Sequence, residues 1–179
     1  MPSDSKNMIS LQGVTRTLLS AYSSIVRALV YALAVVSGLG IVVMMTVTCA
    51  DVLLRESPWP LVGAVDLVKL TGAITIACAL PYTTAVKGHV AIEYFFQKLS
   101  HMGRVVVDSL VRVLGIMLFG ALAWQGVGKA LQLQATGEVT MTLQIPVFWV
   151  MYVVAFSCAT VALVIFDNML HPGREMIKP

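Results

Sequence analysis

Charge is what this sequence has least of. Asp, Glu, Lys and Arg make up 12% of its 179 residues, about half the share of an ordinary soluble domain. Hydrophobic residues reach 58%, and the mean hydropathy is +0.87. Cysteine is scarce as well. Cys49, Cys78 and Cys158 are odd in number and form no C-x-x-C pair, which argues against a disulfide framework, a zinc site or a paired-thiol redox centre; they read as small apolar packing residues. His89, His101 and His171 all lie outside the apolar blocks, so no haem would find its axial ligands within a membrane. A glycine-rich phosphate loop is missing, and nucleotide chemistry with it. No A-x-A-like cleavage site follows a short apolar core, and a long stretch precedes the first apolar block, so that block is expected to remain in the mature chain. The expectation is a protein that is not an enzyme, with no cofactor and no metal.

What is present is four long apolar blocks. They cover about 28–50, 64–86, 105–127 and 141–166, each long enough to cross a hydrocarbon core as a helix. The fold class is therefore all-α: a single membrane domain, 1–179, with four transmembrane helices. Lys and Arg set the orientation. Nine of them (Lys6, Arg16, Arg27, Lys87, Lys98, Arg104, Arg112, Arg174 and Lys178) lie in the N-terminal segment, the middle loop with the foot of the third helix, or the tail; only Arg55 and Lys129 fall in the other two loops. Both termini and the middle loop are expected in the cytoplasm.

Two further segments carry one apolar face. After Lys87, Gly88 and His89, the stretch "AIEYFFQKLS" places Ile92, Phe95, Phe96 and Leu99 at helical spacing, with Glu93, Gln97 and Lys98 between them. It is too short and too charged to span, and suits a helix lying in the interface over about 90–101. Residues 10–27 share the design, with Leu11, Val14, Leu18, Tyr22 and Ile25 on one face.

Transport residues normally leave ionisable groups deep inside spans. Here, apart from Asp108 and Arg112 at the very start of the third, only Asp66 and Lys69 lie within one, near its outer end. Three residues apart on a helix, they are placed to pair with each other as an interfacial anchor. Asp108 and Arg112, four apart, suit a local salt bridge in the same way. Ser37, Gly38, Gly40, Gly115 and Gly120 form small notches where another helix can approach. Trp59, Trp124 and Trp149 fall near outer helix ends, as an aromatic belt would have them. The pattern describes a scaffold. The alternative is a self-contained small homo-oligomeric transporter or channel using Asp66 and Lys69; a membrane-embedded redox subunit is a more distant one.

The run from Asp51 through Arg55, Pro60 and Asp66, followed by "PYTTAVKGHVAIEYFFQKLS", resembles the small membrane subunit, the Q-type subunit, of tripartite ATP-independent periplasmic (TRAP) transporters. The matching positions are Arg55, Asp66, Lys87, His89, Val90 and Glu93; the family more often has Glu where this chain has Asp66. The resemblance implies a static subunit that scaffolds a larger membrane subunit holding the substrate and sodium sites. A periplasmic solute-binding protein would deliver an organic acid carrying a carboxylate. It implies a multi-pass protein of the bacterial inner membrane, in contact with membrane lipids and with no nucleic acid. On that basis Arg55, Trp59, Asp66, Lys69, Lys129 and Glu138 are candidates for the partner interface. Lys87, His89, Glu93, Phe95 and Phe96 are candidates for the turn and brace helix.

Overall fold

The computed structural model describes residues 3–55, 61–86 and 101–170, with side chains from Ala21 onward except at 101, 102, 104–106, 108 and 170. The four helices are α1 (Ser3–Arg55), α2 (Ala64–Ala85), α3 (His101–Thr136) and α4 (Phe148–Leu170). Each carries a window long and apolar enough to cross a membrane. The interfacial helix expected over 90–101 lies, but for its last residue, outside the described residues.

Three boundaries differ from the sequence expectation. The N-terminal amphipathic segment is helical, but it runs unbroken into the first span as one helix of 53 residues. At 1.5 Å per residue that is about 80 Å, far beyond the roughly 30 Å of hydrocarbon. No Gly or Pro separates the two segments cleanly, so the helix has nothing to stop it. α3 likewise continues to Thr136, which leaves Trp124 about 18 Å from its C-terminal end. It ends where Gly137 takes a left-handed φ of 66° and the Glu138 N–H reaches back to the Leu133 carbonyl at 3.3 Å, a glycine-terminated C-cap. α4 begins at Phe148 instead of Met141, because Pro146 offers no N–H and holds the residue before it out of helical geometry.

The helices form an open layer in the packing order α1, α2, α4, α3, with α3 packed almost wholly against α4. Burial follows that order. In α2 and α4, 39% of the apolar window is buried, against 17% in α1 and 6% in α3. Val26, Val30, Ala85 and Val164 make a core cluster at the Arg112 end, with Tyr22 and Val86 against it. There the Tyr22 hydroxyl donates to the Leu163 carbonyl at 3.0 Å, and its ring meets Phe166 edge-on. Arg112 donates to the Asn168 carbonyl and so ties the foot of α3 to the end of α4; the side chain of Asp108, its expected partner, is outside those described.

Polar groups inside the layer follow a membrane rule: a backbone carbonyl without a partner is costly where no water reaches. Pro81 sits buried within α2. Lacking an N–H, it deprives the Ala77 carbonyl of its intrahelical donor. Ser157 of α4, fully buried, donates its hydroxyl to that carbonyl. Ser157→Ala is therefore expected to lower stability by about 1–2 kcal/mol. In a Pro81→Ala background, where residue 81 again supplies an N–H, most of that loss should vanish. Thermal unfolding of the four proteins in mild detergent checks the coupling.

Candidate functional site

A built polar arrangement that ties a loop to a helix distant in sequence lies at the N-terminal end of α2. Gly63 precedes the helix with φ 93°, a conformation that an L side chain rarely adopts. A Cβ there would also stand 2.5 Å from Leu143 Cγ, so glycine serves both the turn and the close approach of the 137–147 loop. Asp66 follows in the first turn, where a carboxylate complements the helix dipole. It is 6% exposed. Its Oδ2 accepts the backbone N–H of Thr142 at 2.8 Å and of Leu143 at 3.2 Å.

The segment that Asp66 holds is a small hairpin. Val139 and Pro146 form an antiparallel bridge. The Thr140 N–H donates to the Ile145 carbonyl at 3.0 Å and the Val147 N–H to the Glu138 carbonyl at 3.2 Å. The Ile145 N–H donates to the Thr140 hydroxyl oxygen at 3.0 Å, and Gln144 turns the chain with φ 52°. Backbone donors that would be orphaned between two helices are thus satisfied inside the loop or by one carboxylate from α2.

The other candidate residues fall around this cap. Asp66 does not pair with Lys69, which is exposed; its Oδ2 is turned to the loop N–H groups instead. Arg55 pairs instead with Asp51, Nη2 to Oδ2 at 2.8 Å, at the exposed end of α1. In water such an i, i+4 pair contributes little to stability. Lys129 reaches the Gln132 side-chain oxygen at 3.3 Å on its own helix, and Glu138 opens the hairpin with its side chain exposed. Trp59, Lys87, His89, Glu93, Phe95 and Phe96 lie outside the described residues. Among the described residues no cluster of His, Cys, Asp or Glu is placed to hold a metal ion.

Sequence reasoning missed Gly63, Thr140, Thr142, Leu143 and the hairpin as a whole. The signals were the pair Gln144 and Pro146 inside an apparent span, and a glycine immediately before the second one.

The helix notches divide into two kinds. Gly40 of α1 receives Thr75 of α2, Gly115 faces Ile165, and Gly126 faces Ala155. Beside Gly40, the Ser37 hydroxyl donates to the Thr75 carbonyl at 3.0 Å. Among the described residues, Gly38, Gly120 and Gly128 meet nothing within 4 Å. Gly120 belongs to an apolar groove between α3 and α4, with Trp124, Val127, Tyr152 and Phe156 among its walls.

A family model for the DctQ component of tripartite ATP-independent periplasmic transporters matches residues 44–174. No curated protein and no solved structure matches the chain.

Proposed function

Because the chain belongs to the DctQ component family of the tripartite ATP-independent periplasmic transporters, we propose that it is the static brace of such a transporter, enlarging the framework against which a larger membrane subunit moves its substrate. The family is one of transporter components and not of enzymes, and four membrane-crossing helices make this a multi-pass membrane protein. The observation that carries the brace reading is the use of Asp66. This carboxylate, at the outer end of the second predicted span, is committed to two loop N–H groups, so it is not poised to bind and release an ion or solute. The open layer supports the same reading. α3 has 6% of its apolar window buried, and two of its glycines face no neighbour among the described residues; a large membrane partner would cover such a face, as would lipid.

On this reading the sodium and substrate sites belong to the larger subunit. The solute is an organic acid delivered by a periplasmic binding protein, and the membrane is the bacterial inner membrane with both termini cytoplasmic. The Asp66 end, with Arg55, Trp59, Lys69, Lys129 and Glu138, then faces the periplasm. Lys87, His89, Glu93, Phe95 and Phe96 form the turn and brace at the cytoplasmic side. Purification of the tagged chain from native membranes in mild detergent tests the core of this proposal. A large multi-spanning protein should be recovered with it in equal amount. Recovery of the chain alone as a stable oligomer would overturn the brace reading and restore the homo-oligomeric transporter.

A further inference from the structure

Resting on the brace reading, which it makes more specific, we infer that a seam on α3 through Gln125 and Gly128 receives a membrane-spanning helix of the larger subunit. The apolar groove on the other side of the same helix is left to lipid. α3 turns one side to α4: Gly126 meets Ala155 and Gly115 meets Ile165. At roughly 100° per residue, the groove residues Gly120, Trp124 and Val127 lie to one side of that contact. Leu118, Ala121, Gln125, Gly128 and Gln132 lie to the other, and all five are exposed. Their alternating steps of three and four residues are those of a helix that packs along another.

The depth of Gln125 decides what can cover the seam. α4 has 23 residues, about 34 Å, little more than the roughly 30 Å of hydrocarbon it has to cross. Ala155, which faces Gly126, stands about 10 Å in from the Phe148 end of α4. Gln125, next to Gly126, is therefore level with lipid tails rather than headgroups. Among the described residues nothing hydrogen-bonds its side chain. An amide with two donors and an acceptor is costly against acyl chains, and polar groups on spanning helices turn to protein or to a wet cavity. One turn on, Lys129 reaches the Gln132 side-chain oxygen at 3.3 Å, so the seam carries a positive charge as well. Between the two glutamines Gly128 is open, a notch where another backbone can come within reach of both amides. The groove has the opposite character. Its α3 wall is apolar and Trp124 is 82% exposed, which acyl chains satisfy without a partner.

The occupant must bring hydrogen-bond acceptors of its own. A second copy across a two-fold axis would set Lys129 towards its counterpart. The carboxylates near the same ends of the other described helices are committed, Asp51 to Arg55 and Asp66 to the hairpin. A lipid phosphate could reach Lys129 but not Gln125, a turn deeper. A spanning helix that carries a carboxylate or an amide at that level answers both, and the larger membrane subunit is the partner that supplies one.

The test compares Gly128→Leu with Gly120→Leu in the tagged chain, purified from native membranes in mild detergent. No described residue stands within 4 Å of a Cβ at either position, so the same side chain is added to two faces of one helix. Gly128→Leu should lower recovery of the larger subunit by at least about tenfold, and Gly120→Leu should leave it near the wild-type value. A photo-crosslinking residue tests the same faces without blocking assembly: placed at Gln132 it should capture the larger subunit, and placed at Val127 only lipid. Equal recovery with the two leucines would overturn the seam and leave the brace reading standing. So would capture of the larger subunit from Val127 alone, or of a second copy of this chain from Gln132. Wild-type protein that recovers no larger subunit would defeat the brace reading itself, and the seam with it.

Discussion

Replacing Asp66 with alanine is expected to open the 137–147 hairpin, and to do so more than any other single change at that end of the molecule. The carboxylate is 6% exposed and joins segments 76 residues apart through two backbone hydrogen bonds. Hydrogen bonds to a charged acceptor are stronger than neutral ones, and removing the acceptor strands the Thr142 and Leu143 N–H groups where they are partly covered. The hairpin's own bonds, Thr140 to Ile145 and Val147 to Glu138, remain, but an isolated two-stranded turn is marginal by itself. Its cleavage by an added protease should therefore accelerate by at least about tenfold, since cleavage follows the population of the open form. The apparent melting temperature of the whole chain should fall less, because Val26, Val30, Ala85 and Val164 pack at the far end. Asp66→Asn should lie between the two. If the hairpin is equally resistant in all three proteins, the carboxylate does not hold it.

The same residue shows where sequence reading stops. Asp66 is conspicuous in a sequence with so little charge, and helical spacing offers Lys69 as its partner. The partners it has are two main-chain N–H groups, which no side-chain pattern advertises. They lie in "TMTLQIP", whose apolar residues extend the fourth block back to Met141 when hydropathy alone is read. By contrast, the second block was read over about 64–86 and the helix found there is Ala64–Ala85, since Lys87 ends the apolar run. Four spans were legible because charge-free stretches of that length have few other uses. Pro81 was visible within the second block. The serine that compensates for it comes from 80 residues beyond the carbonyl it serves, and such pairings are set by packing order, which the apolar pattern leaves open.

That packing order rests on a few close approaches, and Gly40 is the tightest of them. A Cβ built there would lie 2.1 Å from Thr75 Oγ1 and 3.4 Å from Thr75 Cβ. The β-branch gives Thr75 few ways to turn aside within a helix, and its buried hydroxyl has no partner that would hold it elsewhere. Gly40→Ala gains about 1 kcal/mol in helix propensity, yet α1 and α2 must part to admit the methyl. Overpacking of this kind typically costs about 1–3 kcal/mol. Gly40→Val adds two more carbons and is expected to reach the upper end of that range or pass it. Gly38→Val is the control: no described residue stands within 4 Å of a Cβ at that position, so only the smaller intrinsic preference of the helix should register. The decisive variant is Gly40→Ala with Thr75→Ala, which removes the hydroxyl oxygen and leaves Thr75 Cβ at the ordinary edge of contact. If the notch is what seats α2 on α1, the double variant should be more stable to thermal unfolding than Gly40→Ala alone, although Thr75→Ala by itself gains nothing comparable. A double variant as weak as the sum of its singles would mean that the helices are held together elsewhere along their length.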